Sequence, residues 1–145
     1  MSAVLNTPPK PVIPPQEEML PHVVSHPREE DFKAGGLRDF FVYRDLGITG
    51  VTGGKHGAYV ARAVREMKFE QGRHVHITDF QFIYILKGMV KFWYDGIGEV
   101  DCPPGTSVFE APGRAHELTY ASEGCEILQI SSPADYETVA LGLAP

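Results

Sequence analysis

Short apolar runs cut by glycine and proline fill the chain from residue 40 onward. The runs are rich in β-branched and aromatic residues, and the turns between them include Asp95-Gly96, Pro103-Pro104-Gly105 and Pro112-Gly113. Short segments of this composition, spaced evenly by turn residues, are typical of an antiparallel barrel or sandwich. One strand is predicted through His74 and His76, and the others over 40–46, 58–69, 82–86, 89–94, 99–102, 107–110, 115–121 and 125–131.

Both ends of the chain depart from this strand pattern. Residues 1–35 hold seven of the twelve prolines, and proline removes the backbone donor that helices and central strands need. We therefore expect an extended proline-rich arm over 1–35 and a barrel domain over 36–145. Near the carboxyl end, Ser132 as N-cap, Pro133 at the first helical position and Asp135 in the first turn predict a short helix to about residue 141.

Charge and hydropathy exclude several classes of function. The chain has 145 residues and a formal net charge of -6, with no cluster of Lys or Arg, so a track for nucleic-acid phosphates is not expected. Residues 1–10 lack the basic start and apolar core of a signal peptide, and no apolar run reaches the length of a membrane span. We expect a cytoplasmic protein with no nucleic-acid or membrane partner.

Three histidines and a glutamine carry the chemistry that the pattern suggests. His74 and His76 are two residues apart in a predicted strand, so both imidazoles point to the same face. Gln81 follows at an odd offset, and a turn at Thr78-Asp79 can bring it to the same side. His116 follows a Pro-Gly turn and joins the pair if the intervening strands fold back as antiparallel hairpins. Three imidazoles and an amide oxygen predict a site for one divalent transition metal, Zn, Fe, Ni or Mn.

The same residues resemble the two sequence motifs of the cupins. The first cupin motif is a Gly, then His-x-His, a Glu a few residues on and a closing Gly, and the second is a Gly followed by Pro-Gly and His. The matching positions are Gly72, His74, His76, Gln81 in place of the Glu, Gly88, Gly105, Pro112, Gly113 and His116. The chain departs from the pattern at Gln81, and at Tyr120, where the family often has Asn. The resemblance implies a single double-stranded β-helix, or jelly-roll, barrel of the cupin type.

The neutral fourth ligand bears on the expected reaction. Three imidazoles and an amide leave a divalent ion its full charge, whereas a Glu would reduce it by one unit, and the less compensated ion is the stronger Lewis acid. We therefore expect an isomerase, cyclase or lyase acting on a small dicarbonyl, enol or sugar-acid substrate. The resemblance leaves two alternatives open, an Fe-dependent cupin dioxygenase and a cupin that binds a small molecule without turnover.

Several polar side chains can face the barrel interior and move a proton. They are Tyr84, Tyr94, Arg62, Glu66, Glu110, Tyr120 and Gln129. Among these, Tyr84, Tyr94 and Glu110 are the predicted catalytic residues.

A homodimer is expected from apolar residues that the barrel does not need. Alternation along the strand places Phe82, Tyr84 and Leu86 on the face opposite Gln81. A proline-rich arm is also suited to wrap around a neighbouring subunit. The sequence therefore predicts that two barrels pair through a sheet face.

Overall fold

Two five-stranded antiparallel sheets make up the folded part of the protein. The computed structural model describes residues 7–36, 38–68 and 72–142. The strands are β1 (Phe41–Asp45), β2 (Gly57–Ala63), β3 (Arg73–His76), β4 (Phe80–Lys87), β5 (Val90–Tyr94), β6 (Gly98–Cys102), β7 (Ser107–Phe109), β8 (His116–Ala121), β9 (Glu126–Ser132) and β10 (Thr138–Gly142). One sheet has the order β1-β2-β9-β4-β7 and the other β10-β3-β8-β5-β6. The predicted all-β jelly-roll fold is confirmed.

The hydrophobic core lies between the inner faces of the two sheets. On β4 the side chains of Ile83 and Ile85 are buried, while Tyr84 and Leu86 between and beyond them are exposed. This alternation follows from the pleat of a strand, which sends successive side chains to opposite faces. Val90 on β5 is also fully buried and joins the same cluster from the second sheet. Apolar burial from both sheets therefore holds the barrel together.

The amino-terminal arm changes character along its length. Residues 7–30 are exposed. The Arg44 guanidinium on β1 donates hydrogen bonds to the carbonyl and hydroxyl oxygens of Ser25, at 2.8 and 2.9 Å. Arg62 on β2 forms an ion pair with Glu29 at 2.6 Å between nitrogen and oxygen. The later half of the arm thus contacts the first sheet of the same chain. The homodimer stays a prediction.

The helix predicted near the carboxyl end is wrong. The strand β9 continues to Ser132, the Ser132–Pro133 peptide bond is cis, and the chain then forms β10 instead of a helix. Strand β10 pairs with β3, with Thr138 opposite His76. The capping residues favour a helix only locally, whereas pairing satisfies the backbone groups along the free edge of β3.

Two other boundaries also differ from the prediction. The strand predicted over 58–69 ends at Ala63, which pairs with Phe41, the first residue of β1. Residue 69 lies outside the described residues. The connection between β1 and β2 contains one helical turn, α1 (Ile48–Val51). Within the described ranges, no helix is long and apolar enough to cross a membrane.

Candidate metal centre

The three predicted histidine ligands meet on the inner face of one sheet. His74 on β3 lies directly opposite His116 on β8, and residues opposite each other in a ladder point to the same side. His76 follows two residues after His74 and shares that face. The three ring centroids are 4.5 to 4.8 Å apart. One ligand atom from each ring lies within 4.8 Å of the others, so the three buried histidines can hold a metal ion.

The histidine rings form hydrogen bonds through Nδ1, which leaves the Nε2 atoms to bind a cation. The Nδ1 atoms of His74 and His116 lie 3.1 Å from the carbonyl oxygens of Gly72 and Arg114. A carbonyl only accepts hydrogen bonds, so each Nδ1 carries the proton and each Nε2 keeps its lone pair. The Nδ1 of His76 lies 2.9 Å from the Thr138 hydroxyl, and because a hydroxyl can donate or accept, this contact orients the ring without selecting its tautomer. Such outer hydrogen bonds are typical of metal-binding histidines, and the donor set fits a divalent transition metal.

Burial keeps the three imidazoles neutral. It is the main cause that lowers the pKa of His74 to about 4 and the pKa of His76 to about 3, and it also lowers the pKa of His116. Charge repulsion within the cluster adds to the effect on His74 and His76. Only a neutral imidazole has a lone pair for a metal, so these rings can act as ligands at neutral pH.

Gln81 reaches the same cavity from the opposite sheet. The turn expected at Thr78-Asp79 is present, since β3 ends at His76 and β4 begins at Phe80. The Gln81 side chain is 3% exposed and lines the cavity together with the three histidines. The predicted ligand set therefore combines three imidazoles of one sheet with an amide of the other. That Gln81 binds a metal stays a prediction.

The cavity that contains these residues has a volume of about 730 Å³. Its apolar lining comes from both sheets and includes Ile83, Phe92, Leu118 and Ile127. Residues 31, 33–36 and 134–136 also line it. A cavity of this size, with a few polar groups on an apolar wall, suits a small organic molecule.

Glu110 and Tyr94 form a buried pair beside the histidines. The Tyr94 hydroxyl donates a 2.6 Å hydrogen bond to Oε1 of Glu110, and Oε2 of Glu110 lies 3.9 Å from Nδ1 of His116. Glu110 lines the cavity, and its backbone N–H donates to the Gln81 carbonyl. Burial raises the pKa of Glu110 to about 7, although the Tyr94 hydrogen bond opposes this shift. Burial, followed by the neighbouring Glu110 charge, raises the pKa of Tyr94, so its hydroxyl remains a donor.

The other polar candidates lie elsewhere or serve other contacts. Tyr84 is 38% exposed on the outer face of β4 and does not line the cavity, so its position does not support the predicted catalytic role. Arg62 binds Glu29 and Glu126, and Tyr120 binds Glu66. Gln129 lines the cavity and donates to the Tyr136 hydroxyl at 2.6 Å.

Several cavity residues were missed by the sequence reasoning. Those with the largest polar side chains are Arg38, Tyr43, Tyr59 and Tyr136. Tyr136 falls in the segment expected to be helical, and the other three lie outside the two histidine motifs. Alternation along β2 puts the side chains of Tyr59 and Val60 on opposite faces of the sheet. The pattern alone does not show which of these two residues points into the cavity.

Comparisons with known proteins agree with this architecture. Residues 64–131 match the family model described as Cupin domain. The fold is similar to the polyketide cyclase RemF from Streptomyces resistomycificus, with TM-score 0.61 and 18% identity over 83% of this chain and 87% of that chain. It is similar to a cupin-like protein from Thermotoga maritima, with TM-score 0.58 and 16% identity over 79% of this chain and 88% of that chain.

A third solved structure is a larger chain, and the present chain is similar to only part of it. The salicylate 1,2-dioxygenase from Pseudaminobacter salicylatoxidans gives TM-score 0.57 and 8% identity over 74% of this chain and 32% of that chain. No curated protein matches the chain in sequence. At these identities the structural similarity shows the fold alone.

Proposed function

Because the chain belongs to the cupin superfamily, we propose that it is a metal-dependent isomerase, cyclase or lyase acting on a small oxygenated substrate. The substrate class is a dicarbonyl, an enol or a sugar acid. The observation that carries the proposal is the placement of three neutral imidazoles and a buried carboxylate, Glu110, in one cavity. Proton shifts next to a carbonyl need a Lewis acid and a proton carrier close together.

Four side chains would hold the metal. His74, His76 and His116 offer imidazole nitrogens, and Gln81 offers an amide oxygen from the facing sheet. All four donors are neutral, so a divalent ion would keep its full charge. When bound, such an ion supplies a Lewis acid that polarises a carbonyl or enol oxygen of the substrate.

Glu110 is the proton carrier in this proposal. Tyr94 occupies Oε1 of Glu110 with its hydrogen bond, which leaves Oε2 to take or give a proton. The proton is then exchanged between Oε2 and the substrate. Tyr94 is a positioning residue, since it fixes the orientation of the Glu110 carboxyl group.

An Fe-dependent dioxygenase is the competing function. The name of the similar salicylate 1,2-dioxygenase shows that a fold of this kind is used for oxygen chemistry, whereas the name of RemF indicates cyclase chemistry. The two proposals differ in the need for dioxygen. An isomerase, cyclase or lyase turns over without it, and a dioxygenase consumes it.

The metal site is tested first, by elemental analysis of purified protein. We expect one of the four candidate metals in the unmodified protein and in His22→Ala, because His22 lies in the exposed arm. We expect His76→Ala to lose the metal, since one of three imidazoles is removed. A full metal content in His76→Ala would show that the ligand assignment is wrong.

Turnover is tested next with the metal-loaded protein on dicarbonyls, enols and sugar acids. We expect product under anaerobic conditions, and a loss of rate in Glu110→Gln without a loss of metal. Glu99→Gln is the matched control, because Glu99 is exposed on β6. Product formation that requires and consumes dioxygen would support the dioxygenase instead. Metal binding without turnover of any substrate would support a binding protein.

A further inference from the structure

The first sheet has an apolar outward side that is covered only in part. Ile83 and Gln129 line the cavity, so their neighbours along β4 and β9 point outward. Residues opposite each other in a ladder share a face, and the ladders place Val60, Leu128 and Tyr84 in one outward row. A second outward row consists of Ile130, Phe82 and Phe109.

The amino-terminal arm covers the side of the sheet formed by β1 and β2. Arg44 lies opposite Val60 in the ladder and binds Ser25 of the arm. The Arg62 guanidinium lies 3.9 Å from the centre of the Phe32 ring. Because these arm residues lie over the first two strands, Val60 is only 7% exposed although it points outward.

The other half of this side is apolar and open to solvent. Exposure rises away from the arm, to 38% at Tyr84 and 58% at Phe109. Phe80 also points outward, and its ring lies 5.9 Å from that of Phe109. We call this surface the outer apolar face, and it consists of Phe80, Phe82, Tyr84, Phe109, Leu128 and Ile130.

The outer apolar face offers side chains to a partner and no backbone groups from its central strand. Strand β4 lies between β9 and β7, and it is paired on both sides. A partner therefore binds here by burying apolar side chains rather than by adding a strand. None of the six residues carries a charge, so no ion pair selects an acidic or a basic partner.

The outer apolar face is too small to hold two barrels together by itself. Three strands about 4.8 Å apart and five residues of β4 give a projected surface of about 14 Å by about 16 Å. A stable protein interface buries about 800 Å² on each partner. A stable complex therefore needs further apolar surface.

The amino-terminal arm holds such surface in its first half. Val12 is 89% exposed and Leu20 is 65% exposed, and Ile13 and Met19 beside them are exposed as well. We call residues 12–20 the free arm. It has one 3-10 turn, Gln16–Glu18, between two extended parts, so it spans about 25 Å. This length is sufficient to cross the width of the outer apolar face.

Prolines keep the free arm extended. Pro14 and Pro15 lie within it and Pro21 follows it, and each fixes its own φ angle. Ordering a chain that is already extended costs less conformational entropy than ordering a flexible one. In this chain the free arm is exposed rather than folded back over the sheet, which leaves it available to another molecule.

We propose that two copies of the chain form a dimer in which the free arm of each lies on the outer apolar face of the other. The exchange is reciprocal, so a two-fold axis relates the copies and the assembly closes at two. Each copy then buries both its exposed apolar arm and its exposed apolar face. The interface contains no residue of the candidate metal centre, so it is independent of the proposed function.

The first test measures the dissociation constant of the dimer by sedimentation equilibrium. We expect the unmodified protein to have the mass of two chains at micromolar concentration. Phe109→Ser should raise the dissociation constant about tenfold or more, as the loss of one large buried side chain requires. Ile97→Ser is the matched control, because Ile97 is equally apolar and exposed but lies in the turn between β5 and β6. We expect no change in this control.

The second test concerns the free arm. The double variant Ile13→Ser and Leu20→Ser should weaken the dimer at least as much as Phe109→Ser does, because it removes an apolar side chain from each extended part. Val24→Ser is the control, since Val24 is an exposed apolar residue of the arm outside residues 12–20. We expect this control to have the dissociation constant of the unmodified protein.

Cross-linking shows which molecule the free arm covers. Two differently tagged proteins are mixed, one with Ile13→Cys and the other with Ser107→Cys, an exposed position opposite Tyr84. The native Cys102 and Cys125 are fully buried, so a bis-maleimide reacts with the introduced thiols. We expect a product that joins the two tags, and little of it when Ile97→Cys replaces Ser107→Cys.

Four results would overturn the inference. They are the mass of a single chain for the unmodified protein, equal effects of Phe109→Ser and Ile97→Ser, an unchanged dissociation constant in the double arm variant, and no product that joins the two tags. Cross-linking within one chain that carries both cysteines, without a product between chains, would place the arm on its own barrel. Circular dichroism verifies folding, and if Phe109→Ser does not fold, Tyr84→Ser decides.

Discussion

Removing the Tyr94 hydroxyl should destabilise the protein more at high pH than at low pH. The substitution Tyr94→Phe deletes one oxygen and keeps the ring, which packs on Phe92 and lies near His116. The lost hydroxyl donates to Glu110 at 2.6 Å, and both side chains are 5% exposed. Water therefore cannot replace the lost hydrogen bond without entering the barrel.

The size of the effect depends on the charge of Glu110. When the carboxyl is neutral, the bond is an ordinary one and its loss costs about 0.5–1.5 kcal/mol, whereas its loss from a buried carboxylate costs about 1.5–3 kcal/mol. Burial already raises the pKa of Glu110 to about 7, and the Tyr94 bond lowers it. Tyr94→Phe should therefore move this pKa further up.

The sign of the pH dependence follows from proton binding. A carboxyl group whose pKa is raised in the folded state holds its proton where the unfolded chain has lost it, so folding stability falls as the pH rises. Tyr94→Phe increases this effect. The difference in unfolding free energy between the two proteins should then grow between about pH 5 and about pH 8, by about 1 kcal/mol.

The measurement is urea unfolding of metal-free protein at both pH values, so that metal binding does not contribute. Comparing two proteins with the same histidines cancels the titration of the histidine cluster. Tyr84→Phe is the control, because Tyr84 is on the outer face of β4 and 38% exposed. If the difference in unfolding free energy between Tyr94→Phe and the unmodified protein were equal at both pH values, or larger at low pH, the assigned role of the hydrogen bond would be refuted.

Three other predictions concern the ligand set, the core and the assembly. Gln81→Glu should retain metal but change the order of preference among Zn, Fe, Ni and Mn, because the added negative charge reduces the net positive charge of the metal site. Elemental analysis after competition among the four metals measures this order, and an unchanged order would contradict the prediction. Ile85→Ala should lower the unfolding free energy by about 2–5 kcal/mol, since Ile85 is fully buried, and an equal loss in the exposed control Leu86→Ala would count against this. Light scattering should give the mass of two chains, and the mass of a single chain would remove the predicted homodimer.

The sequence was sufficient for the parts of the site that depend on local geometry. His74 and His76 share a face because a strand repeats every two residues, and the odd offset of Gln81 correctly required a turn before β4. The spacing of glycine and proline turns likewise indicated an antiparallel fold. These features follow from the backbone alone, so they hold wherever the strand lies in the barrel.

The segment after Ser132 shows where local reasoning failed. Its residues have the capping pattern of a helix, yet the chain forms β10, and this strand brings Thr138 to the Nδ1 of His76. Tyr136, just before the strand, packs against the same ring. The free edge of β3 decided this conformation, and the sequence of residues 132–142 alone does not show that such an edge is available for pairing.

The chain by itself determined which faces of its strands are apolar and which residues can bind a metal. The tertiary structure decided which of the inward polar groups meet, as Glu110 meets Tyr94 across 16 residues of sequence and as three tyrosines from separate elements line the same cavity. The physical reason is that strand alternation is a property of a few neighbouring residues. The meeting of side chains depends instead on the register and order of strands that are distant in sequence.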